Sequence, residues 1–386
     1  MNVKELDSKY VANTYKRFPV EIVSGKGALL VDETGKKYID MGSGIAVNTF
    51  GMADDEWIGA VTAQLAKFHH TSNLYYTEPC VKLAEMLCER TGMKKVFFSN
   101  SGAEANECAI KAAREYGITT KGEEYYNIIT LENSFHGRTM ATLAATGQAV
   151  FHEHFGPMLT GFIHTPANDC EALEKAVSEN KVCAIMFECV QGEGGVMPLT
   201  CEFVAKISEL AKKYDLVTIA DEVQTGNGRT GKLYGYMNFD IVPDIVSTAK
   251  GLAAGLPMGA TLFGEKTADI YKPGLHGSTF GGNPVCAAGA VNVISRLTDE
   301  FLLEVSKKAE YIKNALNGAK GIKSVSGMGL MIGLETEKEA ATVVSEAMER
   351  GVLLLTAKKK VRLLPPLSIT FEELEKAVEV IKEVCA

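Results

Sequence analysis

Lys250 is the residue of this sequence whose placement most directly suggests covalent chemistry. It ends the apolar stretch DIVSTAK and is followed by two glycines, Gly251 and Gly255, which is not the setting of a surface lysine. Burial lowers the pKa of a lysine and frees its amine for attack on a carbonyl group. The alternative is a lysine whose ammonium group extends past the apolar strand to solvent.

Asp221 ends a second apolar strand, in the sequence LVTIAD. An unpaired carboxylate is costly to bury, so a carboxylate at the end of a buried strand needs a partner. A protonated ring nitrogen of a bound ligand would be such a partner. A structural ion pair inside the fold is the alternative.

Ser101, Gly102 and Ala103 lie between a predicted strand, KKVFFSN, and a predicted helix that begins GAEANECA. The first N–H groups of a helix lack partners within the helix and carry positive partial charge. They therefore favour an anion, and phosphate is the usual occupant. The alternative is an ordinary helix cap formed by Asn100 or Ser101.

The tetrapeptide Phe135-His136-Gly137-Arg138 follows the predicted strand NIITLE. An aromatic ring beside an arginine suits a planar ligand and a carboxylate, whereas a surface loop with a solvated arginine is the alternative. With the other three segments it completes a set: a phosphate cradle, an aromatic plate, an acid for a pyridinium nitrogen and a lysine for a carbonyl. Pyridoxal phosphate is the cofactor that requires all four.

These segments need a sheet that brings strand ends together, and the pattern between residues 54 and 298 predicts one. Short apolar strands alternate with helical stretches there, which is typical of a mostly parallel sheet in an α/β fold. Ligands of such sheets bind at the carboxyl ends of the strands. Residues 20–40 resemble a β-meander, and the last hundred residues mix helices with a strand. We therefore predict a large domain over residues 54–298 and a small domain formed by residues 1–53 and 299–386.

The composition argues against several classes of protein. Lys plus Arg total 40 and Asp plus Glu total 48, and the resulting net charge of −8 disfavours a nucleic-acid partner. The nine cysteines are odd in number and form no CxxC pair, which favours reduced thiols in a cytoplasmic protein over disulfides or a zinc site. No stretch is apolar enough for a signal peptide or a membrane span, so we expect no membrane partner.

Two further motifs suggest functions that their context does not support. Gly226, Gly228 and Gly231 have the spacing of a dinucleotide-binding loop, but the segment that follows is too rich in aromatic residues, glycine and proline for the required helix. The two histidines of FHEHF, at residues 151–155, stand two apart and not four, so one helix face cannot present both to zinc. We predict no bound metal and disfavour a nicotinamide-dependent dehydrogenase.

Five segments resemble the class III pyridoxal phosphate-dependent aminotransferases. They are LVTIADEVQTGNGRTGKLYGYMNFDIVPDIVSTAKGLAAGLPMGA, NSGAEANECAIKAAR, SFHGRTMATLAATG, ECVQGEGGVMPLT and GLHGSTFGGNPVCAAGA, and the likeness runs from about Tyr15 to the C-terminus. The resemblance implies fold type I, with a large domain around a mostly parallel seven-stranded sheet and a small α/β domain from both termini. It also implies a homodimer whose active sites use residues of both subunits.

The resemblance implies roles for individual residues at the cofactor. Lys250 would be the Schiff-base lysine and Asp221 the partner of the pyridine nitrogen, and both would be catalytic. Phe135 would stack on one face of the ring and Val223 on the other. Six further residues would bind the cofactor: Ser101, Gly102, Ala103, Glu188, Gln224 at the ring hydroxyl, and Thr279, which would reach the phosphate in the neighbouring subunit.

At the substrate, the resemblance implies that Arg138 binds a carboxylate with Ser278 nearby. Arg362 would receive the α-carboxylate of glutamate or 2-oxoglutarate, and Glu193 would pair with Arg362 when the other substrate is bound. An unpaired Arg362 would attract the wrong carboxylate to the reacting carbon. A glutamate that masks it in one half of a ping-pong reaction separates the two substrates.

Gly44, in MGSGIAVNTFG, bears on the identity of the amino donor. Ornithine-specific members of the family have a tyrosine here that grips a free α-amine, so a glycine suits an acylated amine. The expected reaction is transamination between N2-acetylornithine and 2-oxoglutarate, giving N-acetylglutamate 5-semialdehyde and glutamate, as in arginine biosynthesis. The other candidate donors are succinylornithine, N-succinyl-diaminopimelate, ornithine and 4-aminobutyrate.

Two interpretations from other functional classes also use this set of residues. A pyridoxal phosphate-dependent aminomutase would need no second keto-acid substrate, and the presence of both Glu193 and Arg362 argues against it. A non-catalytic protein that only binds the cofactor would be expected to lose Lys250, Asp221 or the arginines. All of these residues are present in the sequence.

Overall fold

The structure is a computed structural model, and it describes residues 2–386. Most of its helices begin after a residue that caps them, such as Asp54, Ser101, Thr200 and Thr370, whose side chains accept a backbone N–H of the first turn. The helices are α1 Val3–Tyr10, α2 Ser43–Ala46, α3 Asp55–Lys67, α4 Glu78–Thr91, α5 Gly102–Lys121, α6 Met140–Ala145, α7 Cys170–Glu179, α8 Cys201–Tyr214, α9 Pro284–Arg296, α10 Asp299–Leu316, α11 Ala340–Glu349 and α12 Phe371–Cys385.

The strands alternate with these helices through the middle of the chain. They are β1 Ile22–Lys26, β2 Leu29–Asp32, β3 Lys37–Asp40, β4 Lys95–Ser99, β5 Asn127–Leu131, β6 Phe162–Thr165, β7 Val182–Phe187, β8 Val190–Gln191, β9 Met197–Pro198, β10 Val217–Asp221, β11 Ile245–Thr248, β12 Gly259–Phe263, β13 Ile322–Met328, β14 Met331–Thr336, β15 Val352–Leu353, β16 Leu355–Ala357 and β17 Lys360–Leu363.

Seven strands form the central sheet, in the order β4-β12-β11-β10-β7-β5-β6. Strand β12 pairs antiparallel with both of its neighbours, and every other pairing in this sheet is parallel. Every residue of β7 is buried, as its unbroken run of apolar residues predicts for a strand covered on both faces. The prediction of an α/β fold around a mostly parallel seven-stranded sheet is confirmed.

Strand β12 is one of two strands of this sheet, with β6, that the sequence analysis did not predict. Its residues follow GLAAGLPM, where glycine and proline suggest a loop. Antiparallel pairing to both β11 and β4 nevertheless buries the whole strand. Strand β12 therefore separates β4 from the other parallel strands, and this placement sets the position of the helix that follows β4.

Two four-stranded sheets and the short β8–β9 hairpin accompany the central sheet. Strands β1, β2 and β3 form the predicted meander, and β15 extends it by parallel pairing with β3. Strands β13, β14, β17 and β16 form the other sheet. The N-terminal and C-terminal segments thus share one sheet, which is consistent with a small domain built from both ends. The domain boundaries at residues 54 and 298 stay predictions.

The glycine-rich segment after β10 does not begin a dinucleotide-binding helix. Turns follow β10, and the next helical element is a single short 3-10 turn, Gly235–Asn238. No helix within residues 2–386 has both the length and the apolar character needed to cross a membrane. Over the same residues, no three His, Cys, Asp or Glu side chains lie close enough together to hold a metal ion.

Candidate active site

A cavity of about 420 Å³ lies where the carboxyl ends of five central strands meet. The strands are β4, β5, β7, β10 and β11, and loops from each of them contribute to its wall. Most of the residues singled out from the sequence line it. They are Ser101, Gly102, Ala103, Phe135, Arg138, Glu188, Glu193, Asp221, Val223, Gln224 and Lys250.

Lys250 follows β11 and extends from a left-handed backbone conformation, with φ of +46°. Residues other than glycine rarely adopt this conformation, and such positions are common at functional sites. Burial lowers the pKa of Lys250, although the negative charges of Glu193 and Asp221 oppose that effect. No described residue accepts a hydrogen bond from its Nζ atom. The amine is therefore available to a carbonyl group in the cavity.

Asp221, at the end of β10, is 3% exposed. Its Oδ1 atom accepts a hydrogen bond from the Val223 N–H at 3.0 Å, and its Oδ2 atom accepts one from Asn106 Nδ2 at 2.8 Å. The same Oδ2 atom lies 2.7 Å from His136 Nδ1. Burial acts to lower the pKa of His136, but the hydrogen bond and charge of Asp221 raise it. An internal partner for Asp221, the alternative to a ligand, is thus present in His136, and the same carboxylate also borders the cavity.

The sequence analysis assigned no role to His136 or Asn106. His136 stands in the singled-out motif FHGR, so its position beside Phe135 and Arg138 was a signal. Asn106 lies on the buried face of α5, where an amide needs hydrogen-bond partners. Its Nδ2 atom donates to the His136 carbonyl oxygen at 2.8 Å as well as to Asp221.

The start of α5 combines the two possibilities predicted for it. Ser101 caps the helix, because its Oγ atom accepts the Glu104 N–H at 3.2 Å and donates to the Glu104 carboxylate at 3.0 Å. The N–H groups of Gly102 and Ala103 have no acceptor among the described residues. A Cβ atom on Gly102 would lie 2.6 Å from Val223 Cγ1, so only glycine permits this close approach. The cap orders the turn and leaves two N–H groups free for an anion.

Phe135 and Arg138 form one wall of the cavity. The Phe135 ring contacts Phe151 edge-on, with ring centres 5.5 Å apart. The Arg138 guanidinium lies 5.6 Å from the centre of the Phe135 ring and 4.5 Å from that of Phe151. Arg138 is solvent-exposed, and the stacking holds it over the rings. Its hydrogen-bond donors therefore remain available to a carboxylate at the cavity mouth.

Glu193 and Arg362 are in direct contact at the cavity wall. Arg362 Nη1 lies 2.5 Å from Glu193 Oε1 and also donates to Gln224 Oε1 at 3.2 Å. Burial acts to raise the pKa of Glu193, but the charge and hydrogen bond of Arg362 lower it. The Arg362 side chain is 3% exposed and the Glu193 side chain 31%. Glu193 therefore separates the buried arginine from the cavity.

Glu188 follows β7 and is also buried at the cavity wall. Its carboxylate accepts the N–H of Phe135 at 2.9 Å and that of Gly192 at 3.2 Å. Burial raises its pKa to about 7, although the charge of His136 opposes the increase. The contact between Glu188 and a cofactor stays a prediction, and in the structure its oxygens hold two backbone segments at the cavity wall.

Four residues singled out from the sequence do not line this cavity in one chain, and the first is Arg362, which Glu193 covers. Ser278 is next to it, because its Oγ atom accepts from Asn100 Nδ2 at 3.2 Å and Asn100 lines the cavity. Thr279 is exposed and lines a separate shallow pocket with Phe280. Gly44, with φ of +65°, lies in the left-handed turn α2 and borders a different groove.

Residues 10–385 match the family model described as aminotransferase class-III. The chain belongs to the class-III aminotransferases. The cofactor of this family is pyridoxal phosphate, and its members move an amino group from a small-molecule donor to a keto acid. The family resemblance inferred from the sequence is confirmed.

Similar proteins include members of this family with named activities. Over 384 residues, covering 99% of this chain and 98% of the relative, the chain is 50% identical to the acetylornithine aminotransferase of Haemophilus ducreyi. A solved N-acetylornithine aminotransferase from Stenotrophomonas maltophilia is 33% identical, with a TM-score of 0.85 and coverage of 98% and 97% of the two chains. An ornithine aminotransferase of Toxoplasma gondii, solved with pyridoxal phosphate at partial occupancy in its active site, is 31% identical, with a TM-score of 0.94 and coverage of 99% and 93%.

The polar groups that line the cavity of this class-III aminotransferase match those of pyridoxal phosphate. The two free N–H groups at the start of α5 suit a phosphate, and the buried Asp221 carboxylate suits a protonated ring nitrogen. Phe135 and Val223 offer apolar surfaces for a planar ring, and Lys250 offers an amine that has no hydrogen-bond partner among the described residues. When bound, the cofactor supplies an electron sink for the electrons left at the reacting carbon.

Proposed function

We propose that this enzyme transfers an amino group between N2-acetylornithine and 2-oxoglutarate, giving N-acetylglutamate 5-semialdehyde and glutamate. The contact between Glu193 and Arg362 at the cavity wall is the observation that carries this proposal. With Glu193 paired to Arg362 the arginine is masked, and with Glu193 moved away the arginine can bind a carboxylate. Two chemically different donors require a site with both states. The 50% identity to an acetylornithine aminotransferase supports the same choice of donor.

Each of the main site residues has a task that follows from its surroundings. The Lys250 amine would hold the cofactor and move a proton at the reacting carbon, since burial favours its neutral form. Asp221 would keep a positive charge on the ring nitrogen. Gln224 would bind the ring hydroxyl while its side-chain oxygen accepts from Arg362. Arg138 would bind the carboxylate of the amino donor.

The burial of Glu193 and Arg362 indicates which of the two side chains moves. Arg362 lies within β17 and is almost fully buried, so it stays in place. Glu193 lies in the hairpin loop between β8 and β9 and reaches the cavity. Rotation of Glu193 away from Arg362 would open a bidentate site for the α-carboxylate of glutamate. With Glu193 in place, the positive charge is masked for a donor that reacts through its terminal amine.

A donor screen tests the proposed reaction. With 2-oxoglutarate as acceptor, we expect kcat/KM for N2-acetylornithine to exceed those for ornithine and 4-aminobutyrate at least about tenfold, in line with the 50% identity to an acetylornithine aminotransferase. Succinylornithine and N-succinyl-diaminopimelate are measured in the same series. A preference for ornithine would favour the second candidate, which the fold of the Toxoplasma gondii enzyme supports.

The variant Glu193→Ala, measured with the same donors, tests whether Glu193 masks Arg362. It leaves Arg362 unmasked, so kcat/KM for glutamate should rise relative to that for N2-acetylornithine by about tenfold, the worth of one charge-assisted hydrogen bond. Equal losses for both donors, with a lower melting temperature, would indicate a structural role only. An unchanged ratio in folded protein would contradict the masking role of Glu193.

We further propose that the enzyme is a homodimer, with Thr279 contributing to the active site of the partner subunit. Exposed apolar side chains next to Thr279 support an interface at this surface, because contiguous apolar patches of this kind mark protein contacts. They are Leu74, Tyr75, Tyr76 and Phe280. Sedimentation equilibrium should give twice the chain mass of 41.6 kDa, and a monomer at micromolar concentration would contradict this proposal.

A reducing compartment, the cytoplasm, is the proposed location. The nine cysteines, all within the described residues, are free thiols. Disulfide bonds form in oxidising compartments, and a large secreted protein with so many cysteines would be expected to pair several of them. A count of reactive thiols in protein unfolded without reductant should return all nine.

A further inference from the structure

Glu188 is a buried carboxylate that forms no ion pair with any described residue. It is 5% exposed, and its Oε1 and Oε2 atoms accept the backbone N–H groups of Phe135 and Gly192 at 2.9 and 3.2 Å. An ionised carboxylate is costly to bury without a positively charged partner. These two hydrogen bonds are therefore the interactions that offset the cost of burying this acid.

The two hydrogen bonds reach different parts of the site. Phe135 belongs to the loop after β5, and its ring forms one wall of the cavity. Gly192 directly precedes Glu193, which pairs with Arg362. One side chain at the end of β7 thus holds the segment that carries the aromatic ring and the segment that carries the Glu193 carboxylate.

The Glu188 carboxyl group accepts both of these N–H groups because each of its two oxygens accepts one of them. A glutamine amide has one acceptor oxygen, and its NH2 group would face an N–H donor. One of the two backbone segments would lose its hydrogen bond while the volume of the side chain stays nearly the same. A buried donor left without an acceptor is unfavourable, so that segment would shift toward another partner.

We propose that Glu188 is a positioning residue that fixes the aromatic ring of Phe135 and the carboxylate of Glu193 relative to each other, and that it thereby sets the preference between the two amino donors. This inference rests on the proposed function, in which Glu193 masks Arg362 for one donor only. Glu188 acts here through two backbone segments and needs no contact with substrate.

The test is Glu188→Gln in the full-length enzyme loaded with pyridoxal phosphate. The ratio of kcat/KM for N2-acetylornithine to that for glutamate should fall by about tenfold, as expected for the loss of one hydrogen bond to a charged group. Circular dichroism of the bound cofactor, expressed per mole of cofactor, should weaken, because the Phe135 ring is no longer held. If Glu188→Gln does not fold, Glu188→Asp, which keeps the charge but shortens the reach, is measured in the same way.

Glu222→Gln is the matched control, since Glu222 is a second buried carboxylate that accepts two backbone N–H groups. Gly235 and Tyr236 donate to it at 2.7 Å each, and it does not line the cavity. The control should lower the melting temperature and leave both the donor ratio and the dichroism of the bound cofactor unchanged. Glu188→Gln would overturn the proposal if it behaved as the control does, losing stability only.

The design separates this proposal from the proposed function. If the wild-type enzyme does not use N2-acetylornithine, the proposed donor is wrong, and the ratio is then measured with the donor that the screen identifies. A double variant, Glu188→Gln with Glu193→Ala, adds an independent test. Its effect on the donor ratio should be smaller than the product of the two single effects, because Glu188 acts in part through Glu193. Independent, multiplicative effects would overturn the proposal.

Discussion

Replacement of Lys250 by alanine should lower the turnover number by about 10⁴-fold or more, because one amine both holds the cofactor and moves the proton. The variant should remain folded, since Lys250 forms no hydrogen bond with any described residue that its removal could break. Single-turnover conversion of the amino donor measures the loss. In the wild-type enzyme, borohydride reduction followed by digestion should leave the cofactor on the peptide that contains Lys250.

Lys308→Met is the control for this prediction. Lys308 is another lysine with a pKa lowered by burial, at 8% exposure, but it lies in α10 and donates to the Leu367 carbonyl oxygen at 2.9 Å. Its replacement should lower thermal stability and leave turnover within about twofold, since it is outside the cavity. A cofactor label on any lysine other than Lys250, or substantial turnover in Lys250→Ala, would contradict the assignment.

Replacement of Asp221 by asparagine should raise the free-energy barrier by about 4 kcal/mol, which lowers turnover about 10³-fold. The reason is that the protonated ring nitrogen of the bound cofactor would lose its counter-ion. The same change should lower the pKa of His136, which the hydrogen bond and charge of Asp221 raise. The His136 ring should then be protonated only at a lower pH. An NMR titration of His136 in cofactor-free protein measures this shift separately from activity.

Asn106→Ala is the control for Asp221→Asn. It removes the hydrogen bond of a neutral amide to the same carboxylate, 2.8 Å long, together with the one to the His136 carbonyl oxygen, and leaves the charge of Asp221 in place. We expect a loss of about tenfold in turnover, since a hydrogen bond to a charged group contributes about 1.5 kcal/mol. If Asp221→Asn lost no more activity than Asn106→Ala, the charge of Asp221 would not be what the reaction uses.

The site is assembled mainly from residues at the ends of rigid strands, and this arrangement explains its order. Asp221 and Glu188 end or follow buried strands of the central sheet, and Lys250 follows β11. Residues on such a scaffold hold their positions better than residues on long loops. Glu193 is different, because it lies in a short hairpin loop, and it is also the residue for which we propose movement.

Much of the site could be predicted from the sequence, because each of its parts has a local signal. An apolar run ending in a charged residue marks Asp221 and Lys250, and a strand followed at once by a helix marks the start of α5. Such signals depend on the burial of a few neighbouring residues, which periodicity records directly. The long segments around them also carried the resemblance that the family comparison confirmed.

The position of Gly44 relative to the cavity could not be predicted from the neighbouring sequence. The sequence analysis used it to choose between donors, but in one chain it borders a groove that Lys250 does not line. Three residues later, Val47 does reach the cavity. The path of a strained left-handed turn decides which of these neighbouring residues lines the cavity, and residue types do not encode that path.

The sequence by itself determined the α/β class, five of the seven central strands and the residues able to do chemistry. Only the tertiary structure decided which of them touch. Asp221 contacts Asn106 and His136 across 115 and 85 residues of chain, and Arg362 contacts Glu193 across 169. These contacts depend on the order of the strands, including the unpredicted insertion of β12, and on the return of the C-terminal sheet to the cavity. Hydrophobic periodicity gives the burial of each segment but not its neighbours, so the pairing had to come from the folded chain.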